Sequence, residues 1–190
     1  MRWNDHSKDI PEGSHAFLGA SKYSWLNYND EKLIEVYKNH RATERGTELH
    51  ELACKLIRMG IKLPSNHKTL NMYVNDAIGY KMDTEIPLKY SPRCFGTADA
   101  ITFKRNVLRI HDYKSGKTPA SFHQLEIYAA LFFLEYKEYK VEEVSKIELR
   151  IYQNDEVRID NPEGGDIIAI MNKIIHSDNI LKEYEENIHV

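Results

Sequence analysis

Asp99, Asp112 and Lys114 are the residues of this chain whose types and spacing most directly suggest chemistry. The segments 95–103 and 107–113 each read as a short strand, and Asn106 after Lys104-Arg105 marks a tight turn between them. An antiparallel pair turning there brings residues 99 and 112 approximately opposite one another. Cross-strand Cβ atoms on one face then approach to roughly 4.5–5.5 Å. Lys114 follows Asp112 by two residues, so a strand presents both side chains on one face. Two carboxylates this close repel unless a proton or a cation sits between them. Hard divalent cations favour such oxygen donors, and a neighbouring ammonium orients water or neutralises a phosphoryl transition state. The same three groups also fit an ordinary cross-strand salt bridge.

Their neighbours sharpen the reading. Gly96 lies inside the strand segment, where glycine often marks close approach of a ligand or another backbone. Ser115-Gly116-Lys117 forms a loop able to approach phosphate. Gln124 and Tyr128 are spaced i, i+4 on a helix that is otherwise apolar (LEIYAALFFL) and so share one face. His50, flanked by Glu48 and Glu51, offers an imidazole of ligating type.

These residues need a sheet with helices to hold them. The spacing predicts an irregular lead-in over residues 1–15, a helix from near Ser21, another over Asp30–His40, and a third over Thr43–Met59 stopped by Gly60. A helix capped by Ser65 runs to Gly79. Strands follow at 83–90, 95–103 and 107–113, then a helix over Ala120–Tyr139 opened by Pro119. A strand at 145–153, an extended piece at 156–160 and a helix over Gly165–Glu186 complete the order. Hairpin-linked strands followed by a helical crossover imply an α/β fold, a mixed central sheet flanked by helices with an N-terminal helical region. One domain is expected over 1–190: a mainly helical part at 1–80, the sheet and crossover helix at 81–160, and a C-terminal helix at 161–190.

Twelve Tyr, six Phe and two Trp supply ample core bulk, which excludes a disordered chain or a disulfide scaffold. Cys54 and Cys94 stand 40 residues apart with no CxxC partner, which excludes a four-thiolate metal site and suggests a reducing compartment. The longest apolar run, Ile127–Leu134, is far short of the roughly 20 residues of a membrane span. A cytoplasmic protein with no membrane partner is expected. Net charge is −3, but from Ser91 to Ala120 six basic residues face two acidic ones. Arg93, Lys104, Arg105, Arg109 and Lys117 are therefore candidates for a polyanion-facing patch.

In order along the chain, Gly46-Thr47…His50, Gly96…Asp99, Asp112-Tyr113-Lys114 and Gln124…Tyr128 resemble the RecB-like branch of the PD-(D/E)xK nucleases, with its phage exonucleases and CRISPR-adaptation nucleases. Leu18-Gly19-Ala20-Ser21 with Trp25 also resembles the lead-in of phage-associated members. The likeness spans about residues 18–130. It implies a restriction-endonuclease-like core and a metal-dependent deoxyribonuclease, an exonuclease of phage or bacterial DNA recombination. A structure-specific or restriction-type endonuclease, or a non-catalytic nucleic-acid-binding protein, is the alternative.

By the same resemblance, His50, Asp99, Asp112 and the Tyr113 carbonyl would ligate one or two Mg²⁺ or Mn²⁺ ions, and Lys114 would be the catalytic lysine. Gln124 and Tyr128 would contact substrate or support that lysine, and DNA, double- or single-stranded, would be the partner. A single-strand annealing protein and a homo-oligomer follow only by analogy with phage relatives. Cys54 stands where many relatives carry an acidic residue, and the cysteines that hold an iron–sulfur cluster in some of them are absent. No such cluster is expected.

Overall fold

A computed structural model describes residues 17–18 and 20–188, and the expected irregular lead-in and Gly19 lie outside these. The chain divides into two compact units, one ending at Arg45 and the other running from Gly46. In the first, a 3-10 helix over Ala20–Asn27 precedes α1 (Asp30–Met59), and Phe17 packs edge-on to Tyr37 and stacks on His40. The two helices expected over 30–59 are one. No Gly or Pro interrupts residues 30–45, and the Arg41–Glu44 ion pair bridges the expected gap. Gly46 is the first residue of the second unit and is buried.

In the second unit α1 continues to Met59 and α2 spans Thr69–Gly79. Ser65 does not cap α2. The first-turn amide and hydroxyl of Thr69 instead donate to the Asp155 carboxylate, supplied from 86 residues away. The strands are β1 (Asp83–Ser91), β2 (Cys94–Lys104), β3 (Val107–Tyr113), β4 (Lys146–Gln153) and β5 (Glu156–Asp160). They form one mixed sheet in the order β1-β2-β3-β4-β5. Only β3 and β4 run parallel, and their crossover carries α3 (His123–Glu135), shorter at both ends than expected. The last helix, α4, spans Gly164–Ile188. This α/β architecture is consistent with a restriction-endonuclease-like core.

Two apolar clusters line the sheet. Leu88, Ala98, Ile101, Leu108, Ile110, Leu149 and Ile151 pack with Leu125, Ala129 and Phe132 of α3. Met82, Ala100, Tyr113 and Tyr152 pack with Ala53 and Ile57 of α1 and with Tyr73, Val74 and Ala77 of α2.

The β1–β2 hairpin changes face part-way along. Met82 belongs to the α1/α2 side and Thr84 bonds to Cys54 and Arg58 of α1, whereas Ile86, Leu88 and Tyr90 pack on the α3 side. Regular alternation would keep all five on one face. The switch falls at Glu85, a non-glycine residue with φ of 54°. On β2 the same switch separates Ala98 from Ala100. The ladder pairs Thr84 with Ala100 and Ile86 with Ala98, and Glu85 and Asp99 fall opposite each other between those pairs.

Candidate functional site

The β2–β3 turn is built by Arg105 and Asn106, both with left-handed φ, as a two-residue hairpin requires. It sets the expected register: Lys104 pairs with Val107, and so on to Ala100 with His111. One step further, Asp99 and Asp112 are register neighbours beyond the last ladder pair. At this step, where the backbone ladder stops, the Asp99 carboxylate accepts a hydrogen bond from the Tyr113 amide at 3.2 Å. Its Oδ2 also lies 3.4 Å from Nδ1 of His50, whose ring packs edge-on to Tyr113.

Asp112 is almost fully buried, its side chain only 3% exposed. Oδ1 meets the Lys114 ammonium at 3.0 Å, and Oδ2 has no hydrogen-bond partner among the described residues. Burial, with Asp99 adding repulsion, pushes the Asp112 carboxyl up to about 6 despite Lys114. The ammonium also donates to Gln124 Oε1 at 2.9 Å, and Gln124 Nε2 donates to the Tyr128 hydroxyl at 3.0 Å. The Tyr128 ring lies against Gly96: a Cβ there would stand 2.8 Å from its Cε1. Asp112, Lys114, Gln124, Tyr128 and Gly96 thus form one continuous chain of contacts. The hydrogen bonds of Gln124 and Tyr128 described here serve the lysine.

A cavity of about 540 Å³ opens beside His50, lined also by Thr47, Cys54, Arg58, Met59 and Glu85. Glu85 is the site residue that sequence reasoning missed. Partial burial and, after it, the field of Asp99 raise its carboxyl, while His50 and Arg58 oppose this. Only its register position opposite Asp99 could have signalled it. Cys54, which stands in place of the acidic residue that the resemblance would put there, contacts the Thr84 hydroxyl at 3.1 Å.

The basic residues do not form one patch. Arg93 is bound to Asp178 and Glu185 of α4. Arg109, three residues from Asp112 and so on the opposite face, pairs with Glu148 and lies over the Tyr80 ring. His111 shares that face and is held neutral, its pKa lowered to about 3 by burial and by Arg150. Lys104 donates to the Lys81 carbonyl, and Arg105 sits in the turn. Five or six residues of strand, about 17–20 Å, separate these two from Asp99. Ser115 and Lys117 remain exposed in the loop directly after Lys114.

Residues 78–163 match the model of DUF2800, a protein family of unknown function. The DUF2800 match takes in all five strands and α3, and therefore Asp99, Asp112, Lys114, Gln124 and Tyr128, but not His50. The sequence has no match among curated proteins.

Whether a divalent cation suits these residues is a question of donors. No group of three His, Cys, Asp or Glu side chains among the described residues forms a cage for one ion. Mg²⁺ needs no such cage: it is usually held by one or two carboxylates and keeps several waters. A buried carboxylate with an unpartnered oxygen beside a second carboxylate meets that requirement. No helix among the described residues is long and apolar enough to cross a membrane.

Proposed function

We propose that this chain is a divalent-metal-dependent deoxyribonuclease of the RecB-like kind, acting on DNA ends. The observation that carries the reading is the buried Asp112 carboxylate, with one oxygen on Lys114 and the other unpartnered, next to Asp99. An unsatisfied buried carboxylate oxygen costs about 1–3 kcal/mol or more, and a bound cation would remove that cost. Asp99, Asp112 and the Tyr113 carbonyl are the groups to hold Mg²⁺ or Mn²⁺, with His50 beside them. Such an ion supplies Lewis-acid stabilisation of phosphoryl oxygens and lowers the pKa of a bound water.

The chain's own residues do the rest. Lys114 offers its ammonium to the attacking water or to a phosphoryl oxygen as charge develops. Gln124, braced by Tyr128, fixes where that ammonium points. In the reaction a water oxygen bonds to phosphorus and a P–O bond to one sugar oxygen breaks, leaving a phosphomonoester and an alcohol. The test is end-labelled linear duplex beside closed-circular DNA, each with Mg²⁺, Mn²⁺ or EDTA. Metal-dependent release of nucleotides from the linear substrate, lost in Asp112→Ala, is expected. Cutting of the circle would replace the end-directed reading with an endonuclease. No cleavage of either substrate with either metal would overturn the proposal.

A further inference from the structure

The loop after Lys114 is held from behind by the end of β4. Gln153, buried, donates through Nε2 to the carbonyls of Gly116 (2.6 Å) and Thr118 (2.8 Å), and its Oε1 accepts from the Ala120 amide at 3.0 Å. Next to it, Asn154 Nδ2 donates to the Lys117 carbonyl at 3.1 Å. Three successive carbonyls are therefore bound by two adjacent side chains at the end of β4, the buried Gln153 and the exposed Asn154. In a trans peptide the C=O and the following N–H point in opposite directions, and the chain has no cis bonds among its described residues. With the Gly116 and Lys117 carbonyls turned toward the end of β4, the amides of Lys117 and Thr118 turn away from it, on residues that are themselves exposed.

A row of outward backbone N–H groups makes a concavity that binds anions. The Lys117 ammonium adds charge to it. The loop also borders the site. It begins at Lys114, and Ser115 Oγ lies so close to α1 that a Cβ on Gly46 would stand 2.7 Å from it, four residues before His50.

We propose that Gln153 and Asn154 are positioning residues that shape residues 115–118 into a clasp for a phosphate group of the nucleic-acid backbone, next to the group being cleaved. Gln153 touches no substrate; it acts through the amides of Lys117 and Thr118. The inference rests on the nuclease reading for its ligand, while the carbonyl-holding geometry stands independently of it.

The experiment is equilibrium binding of a fluorescent duplex oligonucleotide in EDTA, so that no turnover intervenes, across a salt series. It compares the native chain with Gln153→Ala, Gln153→Glu and Asn154→Ala, with the melting temperature of each recorded. In parallel, amide NMR shifts are followed while inorganic phosphate is titrated into the native chain. We expect the Lys117 and Thr118 amides to move with phosphate. Gln153→Ala and Gln153→Glu should weaken DNA binding about tenfold and flatten the log K against log salt slope by about 0.9, one phosphate contact. Asn154→Ala should have a smaller effect of the same sign and keeps the test valid if a Gln153 variant fails to fold.

Unmoved amides together with unchanged affinity and slope in folded variants would overturn the clasp while leaving the nuclease reading intact. A native chain whose loop amides respond to phosphate but that cleaves no DNA with Mg²⁺ or Mn²⁺ would instead defeat the nuclease reading and support the clasp. Neither cleavage with either metal nor an amide response would defeat both.

Discussion

Glu85 faces Asp99 across the β1–β2 pair at the position where both strands change face, and Glu85 does so with a left-handed backbone. The strain and the site thus share one point of the sheet, a combination that marks functional positions. At that same point the Asp99 carboxylate meets the Tyr113 amide and His50.

The left-handed conformation costs an L-residue about 1–2 kcal/mol that glycine avoids. Glu85→Gly is therefore expected to raise thermal stability by about 1 kcal/mol, and Glu85→Val to lower it by at least as much. Thermal melts of the two variants in EDTA check this. If both melt alike, the face switch is not held by that torsion.

The Asp112 carboxyl titrates near 6 when folded, against 3.8 when unfolded. A raised folded pKa means that the protonated form is favoured in the fold. Its contribution is fully present below about pH 3.8 and is lost as pH rises through 6. Asp112→Asn should match the metal-free native chain in stability at the acid end. It should exceed the native chain above pH 6 by up to about 3 kcal/mol, the worth of a displacement of that size. Denaturant titrations at pH 4 to 8 in EDTA give the difference directly, and a pH-independent difference would contradict the assignment.

Gly96→Ala should drive its new methyl into the Tyr128 ring, since the Cβ has only 2.8 Å to Cε1. Overpacking of this kind costs about 1–3 kcal/mol. Combining it with Tyr128→Ala relieves the clash, so the two losses should be less than additive. A double-mutant cycle on melting temperature measures the coupling.

Arg93 and Lys117 should behave oppositely. Arg93→Ala removes the ion pairs that tie the β1–β2 turn to α4 and lowers the melting temperature without changing DNA affinity. Lys117→Ala leaves stability unchanged and reduces the salt slope of DNA binding by about 0.9. An Arg93→Ala variant of native stability that binds DNA poorly would restore the single basic patch.

What the sequence could disclose was local. The Asn106 turn set the β2–β3 register, and hence the neighbouring of Asp99 and Asp112, because a two-residue hairpin leaves little freedom. The i, i+4 spacing of Gln124 and Tyr128 anticipated their contact for the same reason. The face switch at Glu85 was hidden, because residues 83–90 alternate plausibly as a flat strand. The fates of Arg93 and Arg109 depend on Asp178 and Glu148, 85 and 39 residues further along, partners that no local pattern names. The start of α2 was misplaced because its cap comes from Asp155.

The β4–β5 connection looks like an ordinary hairpin tip, with Asn154 and Asp155 in left-handed turn conformations. Such tips normally accept inserted residues or a new chain end. Here Gln153, Asn154 and Asp155 fasten the loop after Lys114 on one side and the first turn of α2 on the other. A tag or a circular-permutation cut placed at this tip would therefore unfasten two distant parts of the chain at once.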